Sequence, residues 1–307
     1  MKKVFNTQVI VTQIILLLLI GVIVFFHDKK TVQPNYAFLI ALLLVELTYI
    51  YNFFHTKQKK DHLKAVSDRM LLLLFFLFVW EISTTKLNLM HPVLVPAPED
   101  VFYVFAEQYQ VLLEGVFYSL ELLLVGFLLG LSLGVTLGLI VGWIPRLRGI
   151  FYPMANVLTP IPPVVFAPYL IAIMPTFRSA SALVILLGIF WPTFLNMMIR
   201  IDSIDYRILE SAAVLNLNRR TMILKILFPY VFPSVISGLK VSLTTSVMML
   251  TFAEMMGATK GMGFYIINYT HYANYTNVVA GFIVVGVVVT FLNWLVTKIQ
   301  MRVVKWR

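Results

Sequence analysis

The side chains able to do chemistry in this 307-residue chain are few and dispersed. Five histidines (His27, His55, His62, His91 and His271) fall in flanks and loops. No two stand three or four residues apart, the spacing that would set two imidazoles on one helix face to hold a metal. Cysteine is absent, which removes disulfides, thiolate metal sites and thiol nucleophiles. No Gly-x-x-x-x-Gly-Lys-Ser/Thr phosphate cradle occurs, so the chain itself is not expected to bind or hydrolyse ATP. No nucleophile is set beside a base, and no carboxylate pair has helical spacing inside an apolar run. The expectation is a chain that is not an enzyme and binds no cofactor or metal.

What is left is the chemistry of recognition and passage. Glu46 falls within an apolar run and Glu254 at the end of one, where an ionisable group is costly unless it is paired or faces water. For Glu46 the expectation is a hydrogen bond to a neighbouring helix. Glu254 either helps to line or gate the outer end of a passage or bonds the amides of the 257–263 loop. In Thr159-Pro160-Ile161-Pro162-Pro163, with Pro168 beyond, each proline deletes a donor and clashes with the preceding turn, so no unbroken helix can hold them all. Broken backbone at membrane depth is tolerated only where protein buries it or water lines it. Thr159, Pro160, Pro162 and Pro163 are therefore candidates for a passage, with a kinked helix that touches no solute as the alternative. Asn196, Ser242, Thr244 and Thr245 could add an amide and hydroxyls to its lining.

Residues 200–228 read as helix, turn, helix. Asp205 can cap a first helix whose apolar positions Ile208, Leu209, Ala212, Ala213 and Leu215 recur at helical spacing. Asn216 tolerates the left-handed backbone that would end it. Asn218 can cap a second helix with the apolar stripe Met222, Ile223, Ile226 and Leu227, and Pro229 is expected to close or kink that helix at Phe228. Such a hairpin is either a loop packed on its own chain or a docking element.

The elements that must position these residues are set by composition. Apolar residues make up 60% of the chain and charged residues 12%, against soluble norms of about 45–50% and about 25%. So few charges cannot cover a water-facing surface, and the expected fold is an all-α, polytopic membrane helical bundle. A span needs about 20 mostly apolar residues. About eight transmembrane helices are expected, near 8–26, 36–54, 69–85, 117–142, 150–174, 180–199, 231–255 and 278–297. Residues 86–115, after Pro96 and Pro98, read as an amphipathic helix along the membrane face. Gly126, Gly130, Gly134, Gly138 and Gly142 draw a small-residue stripe down one face of the fourth span, the pattern of close helix packing.

The net charge of +10 reports topology rather than polyanion binding, because Lys and Arg punctuate the apolar runs instead of gathering in one patch. With the N-terminus inside, Lys2, Lys3, Lys57, Lys59, Lys60, Lys64, Arg69, Arg146, Arg148, Arg200, Arg207, Arg219, Arg220, Lys225, Lys240, Lys298, Arg302, Lys305 and Arg307 fall inside. Lys29, Lys30, Lys86, Arg178 and Lys260 are left outside. Both termini are expected in the cytoplasm, and nucleic acid is not an expected partner. The first apolar run is too long for a signal peptide and lacks a small-residue cleavage site, so it reads as a retained anchor.

Four stretches in order carry a family resemblance. Glu210-Ser211-Ala212-Ala213, Asn216 and Ile226-Leu227-Phe228-Pro229 resemble the Glu-Ala-Ala, Gly, Ile-x-Leu-Pro signature of permeases of bacterial ATP-binding-cassette importers, with Ser211, Asn216 and Phe228 departing from Ala, Gly and Leu. Residues 95–101, 159–168 and 253–263 are similar to stretches of the nitrate, sulfonate, taurine and bicarbonate branch. The resemblance covers roughly residues 80–298. It implies the type I importer permease fold in a bacterial cytoplasmic (inner) membrane, with an importer permease domain over 66–307 and an additional transmembrane helix pair over 1–65. It further implies a cytoplasmic ATPase dimer carrying ATP and Mg, a second permease chain as in a homodimer, an external substrate-binding protein and surrounding lipid as partners. Glu210, Ser211, Ala212, Ala213, Asn216, Leu217 and Arg219 then become ATPase-coupling candidates, and Thr159, Pro160, Pro162, Pro163, Asn196, Thr244 and Glu254 pathway candidates. The solute would be a sulfonate- or nitrate-like anion or a vitamin-precursor-like molecule. The alternatives are an ATP-independent channel or secondary transporter and a non-transporting scaffold.

Overall fold

The chain is all-helical in a computed structural model that describes residues 7–55 and 60–303. Lys2, Lys3, Lys57, Lys59, Lys305 and Arg307 of the basic set lie outside the described residues. The helices are α1 (Thr7–Phe25), α2 (Tyr36–His55), α3 (Lys60–Glu81), α4 (Pro98–Glu107), α5 (Tyr109–Trp143), α6 (Pro145–Leu158), α7 (Ala167–Ile173), α8 (Phe177–Asp202), α9 (Tyr206–Val214), α10 (Arg219–Thr221), α11 (Phe228–Gly257), α12 (Met262–His271) and α13 (Tyr275–Val303).

Among the described residues, six helical runs are long and apolar enough to cross a bilayer, or seven if one bent pair counts as a span, against the eight expected. The shortfall is the segment at 69–85. Lys64, Asp68 and Arg69 charge the start of α3, and its uninterrupted apolar part, 70–80, would extend only about 16 Å as helix. The segment at 150–174 is not one helix either. Its prolines divide it into α6, a 3₁₀ turn at Pro163–Phe166 and α7, bent by 82°. Two boundaries also move. α5 begins at Tyr109 rather than near 117, because after the non-helical Gln108 nothing in 109–116 breaks a helix. The helix with Pro229 does not close at Phe228. Residues Arg219–Gly257 run on as one span, and Phe228 keeps helical angles (φ −60°, ψ −51°). A π-helical turn at Met222–Leu227, with the Phe228 N–H donating five residues back to the Ile223 carbonyl, widens the helix where the Pro229 ring needs room.

The described residues form two compact units. The first comprises those up to Leu112 with Asn268–Phe282. In it Leu19, Phe38, Leu42 and Leu74 form a core between α1, α2 and α3. The Gln13 amide donates to Glu46 at 2.8 Å, the inter-helix partner expected for that carboxylate. The Thr12 hydroxyl reaches the Ser67 carbonyl, and the Lys86 ammonium donates to the Phe26 carbonyl at 3.0 Å. The start of α3 is thus level with the start of α1 and its end with α1's end, so the two run parallel.

A π turn at Ile82–Lys86 buries Thr85 and Lys86 beside Glu81 and Glu99, which are 0% and 1% exposed. The expected amphipathic helix is α4, with Pro98 in its first turn and Val101 and Val104 buried. Glu99 is not on its polar face: it turns inward and accepts from the Thr85 hydroxyl at 2.9 Å.

The second unit comprises Leu113–Ile267 and the described residues from Ile283. Leu123, Ile185, Ile189, Val247 and Leu250 form its main core. The glycine stripe of α5 packs on α8: a Cβ at Gly130 would lie 2.7 Å from the Leu186 carbonyl oxygen, and one at Gly138 2.6 Å from Met197 Cβ. Only hydrogen fits there, so the stripe is packing, as its spacing implied. α8 is capped by a reciprocal Thr176 and Ser179 box, and ion pairs Arg178–Glu121 and Arg148–Asp202 tie its two ends to α5 and α6.

Candidate functional site

The hairpin forms from the residues its sequence assigned. Asp205 accepts from the Arg207 N–H at 2.9 Å and opens α9. α9 ends in a Schellman turn: the Asn216 N–H donates to the Ala213 carbonyl, the Leu217 N–H to the Ala212 carbonyl, and Asn216 holds φ at +46°. Asn218 then accepts from the Thr221 N–H at 2.8 Å. Ala212 is 6% exposed and packs with Met197, Ile201, Met222 and Leu227, and Leu217 leans on the same cluster. Glu210, Ser211, Ala213, Asn216 and Arg219 stay exposed, while Val214 and Leu215 are 86% and 70% exposed. Arg207, Arg219 and Arg220 surround this apolar tip in the sequence and are exposed with it. An isolated exposed leucine needs no explanation. An apolar tip held out on a capped, internally anchored hairpin has the form of a docking element.

Above the hairpin, α8 and α11, with Leu131 of α5, border an open cavity of about 350 Å³ lined by Thr193, Asn196, Arg200, Ser234, Ser237 and Ser242, with Leu131, Met197 and Val235 as apolar wall; Asn196, Arg200 and Ser237 are exposed. Each of its polar side chains carries a donor, the guanidinium alone being donor-only, and no carboxylate is among the lining residues. The side chains of Asn196, Arg200, Ser234 and Ser242 make no hydrogen bond within the described residues, so their N–H and O–H groups are available to a solute. A planar guanidinium with several neutral donors suits a small oxyanion.

Of the sequence candidates, the structure brings Asn196 and Ser242 to this cavity and leaves the others elsewhere. Thr159 sits at the bend between α6 and α7, its hydroxyl buried without a partner. Pro160 and Pro162 are exposed there, and Pro163 is buried near Gly188 of α8. Thr244 shares a hydrogen bond with Asn293 at 3.3 Å, joining α11 to α13. Glu254 is fully buried. It accepts from the Ser119 hydroxyl at 2.6 Å and from the Gly263 N–H at 2.7 Å, and Ser119 in turn accepts from the Met262 N–H at 2.9 Å. Gly261 (φ +122°) and Gly263 are glycine of necessity, since a Cβ at Gly261 would meet Glu254 Oε1 at 2.4 Å and one at Gly263 the Thr251 carbonyl oxygen at 2.2 Å.

Arg200, Thr193, Ser234 and Ser237 escaped the sequence reading, although a signal was present. Thr193, Asn196 and Arg200 stand at i, i+3 and i+7, and Ser234, Gly238 and Ser242 at i, i+4 and i+8. Each set is a polar or small stripe along one face of an otherwise apolar helix.

A family model described as "Binding-protein-dependent transport system inner membrane component" matches residues 130–306. A Bacillus subtilis protein described as an aliphatic sulfonates transport permease is 26% identical over 234 residues, 75% of this chain and 83% of that protein. A nitrate import permease of Leptolyngbya laminosa is 30% identical over 195 residues, 62% and 70% of the two chains. The taurine transport system permease of Escherichia coli is 25% identical over 166 residues, 54% and 60% of the two. Among solved structures, a chain of the inward-facing MetNI methionine ABC transporter superposes with a TM-score of 0.53 at 18% identity. That match covers 65% of this chain and 99% of the other, and the likeness is one of fold.

Proposed function

This chain belongs to the family of binding-protein-dependent transport system inner membrane components, and from that premise we propose that it passes a small oxyanion of the sulfonate, nitrate or taurine kind through the cavity between α8 and α11. It is a multi-pass inner membrane protein, the permease subunit of an ABC importer. The observation that carries the solute class is the cavity lining: Arg200 set among Asn196, Thr193 and three serines with no carboxylate. The named relatives act on sulfonates, nitrate and taurine, which agrees with that donor set. An uncharged vitamin-precursor-like solute would leave the guanidinium unmatched.

The proposed assembly has a homodimer of this permease in the bilayer, a cytoplasmic ATPase dimer that holds ATP and Mg, and an external substrate-binding protein. The hairpin tip, from Glu210 to Arg219, docks on the ATPase. Eight crossings put both termini in the cytoplasm. The eighth is α3, whose parallel course beside α1 supports a full traverse despite its charged start. Residues 1–65 then form an added helix pair on a permease domain over 66–307. Thr159, Pro160, Pro162, Pro163, Thr244 and Glu254 position helices around the passage and do not touch the solute.

The test is uptake of labelled taurine, methanesulfonate and nitrate into proteoliposomes holding the permease with its ATPase and external receptor. Arg200→Ala is expected to lower uptake of the transported anion by about tenfold or more, the scale of one lost charge-assisted hydrogen bond, with Arg200→Lys intermediate. Unchanged uptake in Arg200→Ala would overturn the cavity assignment. Uptake by the permease alone, without ATPase, would favour a channel or secondary transporter.

A further inference from the structure

The first unit holds a second cavity, of about 480 Å³, that the passage of a solute between α8 and α11 does not use. Its walls come from the loop after α1, from α4 and from the start of α13, all within that unit. Asp100 and Glu107 face it, with Tyr103 between them on the same helix, and Gln33, Asn274 and Asn277 complete the polar rim. No lysine, arginine or histidine is among its lining residues. Asp100 Oδ1 accepts from the Gln33 N–H at 2.8 Å, and its other oxygen remains open. Neither carboxylate has an ion-pair partner among the described residues.

Asn277 supplies the second, independent observation. The residue is 4% exposed, and its backbone N–H is taken up by Asn274 Oδ1 at 3.4 Å. Its carboxamide lines the cavity and has no hydrogen-bond partner among the described residues. An amide on a residue this buried, reaching the cavity without a partner in the protein, is completed by whatever occupies the cavity, water or a solute. Two carboxylates without a cation and an amide oxygen without a donor both call for N–H groups and positive charge, and the volume falls within the range of small-molecule sites.

We propose that this cavity is a binding site for a small organic ammonium compound, separate from the transport passage. The eight-crossing topology puts the loop after α1, α4 and the start of α13 on the outer face, so the ligand arrives from outside. The ammonium group sits between Asp100 and Glu107 and donates to the Asn277 amide oxygen. The carbon skeleton lies against Val32 and Val104, which also line the cavity.

The experiment is calorimetric titration of the full chain in lipid nanodiscs with putrescine, ethanolamine and methylamine, in the absence of any ATPase or receptor. Saturable binding of at least one of them is expected, weakened about tenfold or more by Glu107→Gln and by Asp100→Asn, since each removes one charged acceptor. Glu107 is exposed and makes no ion pair among the described residues, so its substitution reads binding and not folding. Excess methanesulfonate is expected to leave the binding unchanged. No saturable binding with any of the three compounds, equal affinity in wild type and Glu107→Gln, or displacement by methanesulfonate would each overturn the proposal. Because no ATPase is present, failure of the importer assignment would leave this result untouched.

Discussion

Replacing Glu254 tests whether its buried carboxylate serves as a hydrogen-bond hub. Glu254→Ala removes both acceptors at once, the partners of the Ser119 hydroxyl at 2.6 Å and the Gly263 N–H at 2.7 Å. Hydrogen bonds to a charged group are each worth about 1.5–3 kcal/mol. No cation pairs with this carboxylate among the described residues, so its removal also relieves a desolvation cost that offsets part of that loss. A net loss of about 2–4 kcal/mol follows, including the void left by the side chain. Glu254→Gln keeps the shape. Its carbonyl can accept from Gly263 and its amide can donate to Ser119, which still accepts from Met262, so the expected cost is within about 1 kcal/mol. At about 2–4 °C per kcal/mol, Ala should unfold roughly 5–15 °C below wild type and Gln within a few degrees of it. The assay is thermal unfolding in detergent, read from the monodisperse peak that survives heating. Equal losses for Ala and Gln would mean that the charge itself matters, and a harmless Ala would mean that the loop holds without the hub; either result refutes the reasoning.

Three further outcomes are expected. Gly130→Val and Gly138→Leu should abolish a stable chain in the same assay, because their side chains would enter α8, while Gly149→Ala, with nothing within 4 Å, should be silent. At the hairpin, Leu215→Asp should cut ATP-driven uptake and co-purification of the ATPase without lowering the unfolding temperature. Ala212→Arg should lower that temperature instead, since Ala212 is buried against Met197 and Leu227. Lys86→Met strips the cation from Glu81 and Asp28 and the donor from the end of α1, and should cost about 3–5 kcal/mol, the scale of a broken buried ion pair. Adding Glu81→Gln should restore part of that loss.

Helix and turn positions were legible wherever one residue decides them. Asp205, Asn216 and Asn218 each act through their own side chain or their own φ, and each sits where its chemistry assigned it. The glycine stripe was legible for the same reason, as a missing Cβ reports a close neighbour without naming it. Outcomes that depend on a partner elsewhere in the chain were not legible. Pro229 is expected to close or kink its helix, and the π turn at Met222–Leu227 takes up its ring without ending the span. The inward turn of Glu99 on α4 depends on Thr85, fourteen residues earlier, which meets it in the interior. The cavity was half legible: Asn196 and Ser242 stand out as polar groups in apolar runs, while Arg200 was read only as a topology marker because its charge already had a use.

That double use of Arg200 bears on how an importer of this kind would work. Arg200 lies near the end of α8, two residues before its last residue, and the hairpin begins at Asp205. The opposite wall, Ser234 to Ser242, lies on α11, which continues from the hairpin's second arm through the π turn without a break. The two helices that line the cavity are therefore the two arms that hold the hairpin, and Ala212, Leu217 and Met222 lock that hairpin to Met197 and Val231 in one cluster. With the tip docked as proposed, a force on it would reach both cavity walls through these packed side chains. On the proposed function, a modest rotation of α8 would change the distance from the guanidinium to the serines of α11. A bound anion would then feel its affinity change between the two arrangements, the differential interaction that any coupled transport step requires.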